Sequence, residues 1–154
     1  MGTFNKLLDG TFQAPRTWTL NSTLSFDCDL VNEKEIAALR AVGVKVSAKG
    51  RIGVSKGFKS DLASCPRALW AILAPFDVAR AAVIHDYIYY CIRQYRAFET
   101  ADKATWNEAK AIGDKVFKAG MESASPEVPG WKIQSAYLAV KMFGRWSIVP
   151  REEL

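Results

Sequence analysis

Ala81-Ala82-Val83-Ile84-His85-Asp86-Tyr87-Ile88-Tyr89-Tyr90 places the only histidine of a 154-residue chain beside a carboxylate inside an apolar run. At helical spacing His85 shares a face with Val78, Ala81, Ala82, Ile88, Tyr89 and Ile92, so the imidazole points into the interior or into a cleft floor. Asp86 falls about 100° further round, at the edge of that face. An unpaired carboxylate costs on the order of several kcal/mol to bury, so Asp86 needs a cation, a cluster of donors or water within reach. A satisfied core histidine with a boundary aspartate would read the same way, because perturbed groups occur in structural networks as well as in active sites.

Downstream of this helix, which Pro75-Phe76-Asp77 opens and which runs to about Tyr95, residues 96–99 turn the chain and Thr100 caps a second long helix. Asp102, Trp106, Ala109, Gly113, Val116, Phe117 and Gly120 trace one face of it. So short a connection forces the two helices to pack side by side. Asp102 heads the face and has two readings, an acid placed near the positive helix N-terminus or a carboxylate aimed at His85. A loop over residues 122–130 leads to a third helix, Trp131 to Phe143, stopped by Gly144. The tail, with Trp146, Ile148 and Val149, packs back or meets a partner.

Upstream, residues 1–60 are β-rich. Thr17-Trp18-Thr19-Leu20 and Thr23-Leu24-Ser25-Phe26 read as strands of a hairpin about Asn21-Ser22, and Val44–Ser47 with Arg51–Ser55 as a second hairpin about Ala48-Lys49-Gly50. Asn32 caps a short helix from Glu33 to Val42, with Gly43 as its stop. Ser60, Asp61 and Ser64 precede Pro66 in a polar loop; a cap over Arg67–Leu73 accounts for one of the three capping residues. The fold class is α+β: a small N-terminal antiparallel sheet followed by a bundle of about three helices. One domain spans 1–154, with the β-rich part at 1–60, the helical part that carries the site at 66–143 and a tail at 144–154.

Composition narrows the class. With 49% hydrophobic and 24% charged residues, the chain is ordinary globular sequence and excludes a largely disordered one. Its size allows a core that buries roughly two thirds of the unfolded surface. The 21 basic and 16 acidic residues give +5, spread without a run of five like charges, which reads as a solvated basic surface. Three widely spaced cysteines, Cys28, Cys65 and Cys91, argue against a disulfide framework or zinc ribbon and read as buried free thiols. No apolar run approaches the 18 residues of a membrane span, and the N-terminus carries no signal core or myristoylation motif. The expected location is the cytoplasm in which the chain is made.

His85, Asp86, Tyr89 and Asp102 together are more specific than any one of them. A neutral imidazole oriented by a carboxylate takes a proton from water, and an adjacent carboxylate holds a hard cation that polarises a carbonyl. That equipment suffices for metal-assisted hydrolysis of an ester or amide. Tyr89, one turn after His85, reaches the carboxylate that orients the imidazole. His85-Asp86-x-x-Tyr89 with Asp102 on a second helix resembles the paired-helix core of secreted and prokaryotic phospholipases A2, over about forty residues. The resemblance implies that His85 is the base, Asp86 the calcium ligand, and Tyr89 and Asp102 the pair behind the histidine. The glycine-rich calcium loop and disulfides of the secreted enzymes are missing, which leaves Asp61 or backbone carbonyls of residues 57–66 as the other metal ligands. Calcium is the metal this implies, with zinc as the other candidate.

A wider resemblance rests on Gly57-Phe58-x-Ser60-Asp61-x-Ala63-Ser64-x-Pro66-Arg67, His85-Asp86-x-x-Tyr89, Ala101-Asp102 and the tyrosine-bearing helix ending Phe143-Gly144. These are similar to a family of small phage and prophage proteins of unknown function, in which threonine is more usual at the position of Ser60. It implies a phage genome. Two function classes follow from both resemblances. The first is a phage-encoded metal-assisted hydrolase acting on phospholipid or another component of the host envelope. The second is a virion or assembly protein that binds other phage structural proteins, its polar cluster a buried network fixing the helix pair. Nucleic-acid binding through Arg93, Arg96 and Lys103 ranks last, because no recognised fingerprint accompanies the charge.

Overall fold

Buried and half-buried residues alternate along Leu24–Cys28, the period-two pattern of a strand with one face in the core. In the computed structural model, which describes residues 2–14, 17–60, 78–124 and 127–152, this strand is β4. It lies between β1 (Gly2–Phe4) and β5 (Arg51–Val54) in an antiparallel sheet, with Phe26 opposite both Phe4 and Ile52. A second antiparallel sheet has β3 (Thr17–Leu20) between β2 (Gly10–Gln13) and β6 (Lys59–Ser60). The expected hairpin about Asn21-Ser22 is corrected: β3 and β4 belong to different sheets, and these two residues carry the chain between them. Residues 44–47 keep only part of the second expected hairpin, a single Val46–Ile52 bridge, because β5 pairs mainly with β4.

Helix α1 (Glu33–Ala41) begins where expected. The Asn32 side chain accepts from the Glu35 amide at 2.9 Å and the Glu35 carboxylate accepts from the Asn32 amide at 3.0 Å, so two end donors are satisfied reciprocally. Gly43, at φ 90°, turns the chain out of the helix in a conformation that favours glycine. Among the described residues three further helices follow: α2 (Ala79–Arg96), α3 (Lys103–Glu122) and α4 (Gly130–Phe143), with a 3-10 turn at Gly144–Trp146. The architecture is α+β, as the sequence predicts.

Helix α2 is buried nearly all round, which explains a sequence with no polar face until its last turns. One side joins β4, β5 and α1 in the main core through Val83, Ile84, Ile88 and Ile92. Its first turn joins a second cluster with Phe117, Met121, Ile133, Ala136 and Val140, which seats α4 on α3. Cys28 and Cys91 are buried free thiols, and burial pushes the Cys91 thiol up to about 11. Asp61, Cys65, the expected cap over Arg67–Leu73 and the Pro75-Phe76-Asp77 opening lie outside the described residues.

The tail packs back. Ile148 is buried, and the guanidinium groups of Arg93 and Arg96 donate to the carbonyls of Ser147 and Ile148, each at 2.9 Å.

Candidate functional site

Two glycines set how closely the site can be built. A Cβ at Gly120 would come within 2.8 Å of the Ala81 Cβ, and one at Gly113 within 3.0 Å of an Ile88 methyl. The backbones of α2 and α3 therefore run closer than two side-chain-bearing helices could, and His85 lies between the two contacts. Its imidazole is 1% exposed, near-parallel to the Phe117 ring at 4.7 Å and beside the Tyr89 ring at 4.0 Å.

The carboxylate that meets this imidazole is Asp114, itself 2% exposed. Asp114 Oδ1 lies 2.9 Å from His85 Nε2 and accepts from the Tyr89 hydroxyl at 2.5 Å. Asp114 Oδ2 accepts from Lys110 Nζ at 2.7 Å. Lys110 also donates to the carbonyls of Val140 at 3.2 Å, which accepts from the Gly144 amide as well, and of Lys141 at 3.4 Å, in the last turn of α4 where the helix end favours a cation. Gly144 completes the arrangement, because a Cβ there would collide with the Tyr89 hydroxyl.

The electrostatics follow from this geometry. Burial alone raises the pKa of Asp114, but hydrogen bonds from His85, Lys110 and Tyr89 outweigh it and hold the carboxyl below its ordinary value. Burial first, and the Asp114 charge second, push the Tyr89 phenol far above its ordinary range, so it stays a donor. With Asp114 ionised and acting only as an acceptor, a neutral His85 must carry its hydrogen on Nε2, which leaves the basic lone pair on Nδ1.

Asp102 does not take the place expected for it. Its exposed carboxylate caps α3, accepting from the Thr105 amide at 2.9 Å and the Thr105 hydroxyl at 2.8 Å, and this helix-capping role displaces Thr100 as the expected cap. The reason is register. Antiparallel helices joined by a short turn align residues equally far from it: His85 is eleven residues before Arg96, and Asp114 is eleven after Lys103. At 1.5 Å per residue Asp102 stays about 18 Å further along the axis. That equal spacing, with the i,i+4 pair Lys110 and Asp114 on the buried face, is the sequence signal for both residues.

Asp86, one residue after the histidine, is buried and accepts from the Ser60 hydroxyl at the end of β6. The structure thus joins His85, Tyr89 and Asp114 in one cluster, attaches Asp86 to Ser60, and leaves Asp102 outside. Among the described residues no group of three or more His, Cys, Asp or Glu stands close enough to hold a metal ion. Asp86 alone falls well short of the six to eight oxygens calcium takes.

The profile of one family matches residues 38–140, about two thirds of the chain, and is described as a protein of unknown function, DUF1353. The chain belongs to DUF1353. No curated protein and no solved structure matches it. The DUF1353 match takes in β5, β6, α2, α3 and most of α4, and so His85, Asp86, Tyr89, Lys110 and Asp114. Strands β1 to β4, Gly144 and the tail lie beyond it.

Proposed function

We propose that this DUF1353 protein is a phage-encoded hydrolase of the phospholipase A2 type acting on the host envelope, with His85 as its base and Asp114 in the orienting place first expected of Asp102. The observation that carries the reading is the Nε2–Asp114 contact at 2.9 Å, shared with Tyr89. It fixes the tautomer that leaves Nδ1 able to take a proton from water as that water attacks an ester carbonyl. Asp114 then stabilises the imidazolium, which returns the proton to the leaving alkoxide. A divalent cation, calcium first, is part of the proposal, with Asp86 as the carboxylate that would meet it.

Fatty-acid release from mixed phospholipid vesicles, measured with calcium and with chelator, tests the proposal. Release that requires calcium and is lost in both His85→Ala and Asp114→Asn supports it. Release that survives His85→Ala removes His85 from the chemistry, and no release under any condition removes phospholipid as the substrate.

A second reading, a non-catalytic virion or assembly protein, is favoured by the depth of His85 and by Lys110, which ties Asp114 to the end of α4 as a structural network would. It expects the chain in purified particles and no fatty-acid release from vesicles under any condition.

A further inference from the structure

Residues 128–150 contain no aspartate or glutamate, three cations and a set of large apolar side chains in water. On α4, Ile133, Ala136 and Val140 face inward. Outward stand Trp131, 62% exposed, Leu138, 44%, and Met142, 61%. At 100° per residue these three fall within about 40° of one another, a single apolar line about 16 Å long interrupted by the uncharged Gln134 and Ser135. Lys132 lies about 100° to one side of that line and Lys141 about 80° to the other. Beyond the helix, exposed Trp146 stacks on Phe143 and has the Arg145 guanidinium 4.3 Å above its ring.

An apolar stripe flanked on both sides by lysines, with tryptophans at its two ends, matches the side of a helix that lies in the plane of a lipid interface. Aliphatic and indole groups enter the acyl boundary there, while the lysines reach back to headgroups. From this placement we infer that the outer face of α4 and the turn after it dock on an anionic lipid surface. A second copy of the chain fits worse. Self-pairing would set Lys132, Lys141 and Arg145 against their own counterparts, with no carboxylate in the segment to offset them. Leu138 and Met142 also offer nothing to a nucleic-acid base that an aromatic platform would. The inference is independent of the hydrolase proposal, since none of these residues belongs to the cluster around His85.

The test is cosedimentation of the full chain with vesicles of phosphatidylglycerol and phosphatidylcholine, against phosphatidylcholine alone. Binding to the anionic vesicles that weakens with salt is expected whether or not fatty acid is released from them, so failed hydrolysis and failed docking are told apart. Lys132→Glu with Lys141→Glu should lower partitioning by more than about thirtyfold, since loss of each cation near an anionic surface alone costs about fivefold and each new carboxylate adds repulsion. Trp131→Ser with Met142→Ser should lower it too, while retaining the circular-dichroism spectrum. Lys49→Glu with Lys56→Glu, exposed lysines outside this face, makes the same change in net charge and should leave binding within about twofold of wild type. Absence of binding to anionic vesicles overturns the inference, as does equal loss with the two charge-reversed pairs. Self-association in sedimentation velocity that Trp131→Ser with Met142→Ser abolishes overturns it in favour of a second copy.

Discussion

Asp114 is the residue on which the buried cluster turns, because three donors from α2 and α3 converge on its two oxygens. Asp114→Asn leaves Lys110 charged and buried without its counter-charge and should cost about 3–5 kcal/mol in urea unfolding at pH 7. Loss of under about 1 kcal/mol would mean that the donors repair themselves through water. The pH dependence has a definite sign. The folded-state pKa of Asp114 is depressed below 3.8, so its stabilisation is complete above about pH 5 and is lost as pH falls through the depressed value. Urea midpoints should drop between pH 5 and pH 2.5 (approximate bounds of that window), with the drop reduced in Asp114→Asn. Gly144→Ala puts a methyl where the Tyr89 hydroxyl lies and should cost about 1–3 kcal/mol, and Tyr89→Phe in the same chain should recover part of it. The histidine, its neighbour Asp86 and Tyr89 were legible in the sequence because helical spacing alone puts them on or beside one face. Asp114 was not, because its partner is set by the register between two helices, and Asp102 looked as acidic and lay closer to the turn.

Elements repeat that contrast. The boundaries of α1 and α4 follow from local chemistry, a capping box at Asn32 and a glycine after Phe143, and both were readable within a residue or two. Strand partners were not, since Thr17–Leu20 and Leu24–Cys28 are short, close in sequence and joined by three residues that include Asn21-Ser22, the pattern of a hairpin. Their separation into two sheets depends on β1 and β5 flanking β4, and on β2 and β6 flanking β3, contacts that no local window contains. The closest helix contact is a second element-level feature hidden in composition. Gly120→Ala would press against Ala81 at 2.8 Å and should destabilise by about 1–3 kcal/mol, with slower amide exchange lost along α2 and α3 together. If exchange accelerates in α3 alone, the two helices do not pack as one unit. Asn32→Ala should cost about 1 kcal/mol and speed exchange only in the first turn of α1.

Across the whole molecule the charges that matter most are those that join distant parts of the chain. Arg93 and Arg96 at the end of α2 hold the carbonyls of residues 147 and 148, and the Arg96 guanidinium lies 4.4 Å from the centre of the Trp106 ring. Arg96→Ala removes a charged donor and a cation–π contact and should lower stability by about 1–3 kcal/mol, read as a shift in thermal midpoint with Trp146 becoming more accessible to quenching. An unchanged quenching constant would show that Arg93 and Ile148 suffice to hold the tail. These ties also set an order of events during synthesis. Lys110 has its backbone acceptors at residues 140 and 141, and the two arginines have theirs at 147 and 148. While a ribosome still shields those residues, the emerged helix pair lacks the backbone carbonyls to which these three cations donate, although Lys110 already has the Asp114 carboxylate. These contacts therefore form only once residues 140–148 have emerged, and a nascent chain stalled before that point should be cleaved more readily by quality-control proteases than the released chain.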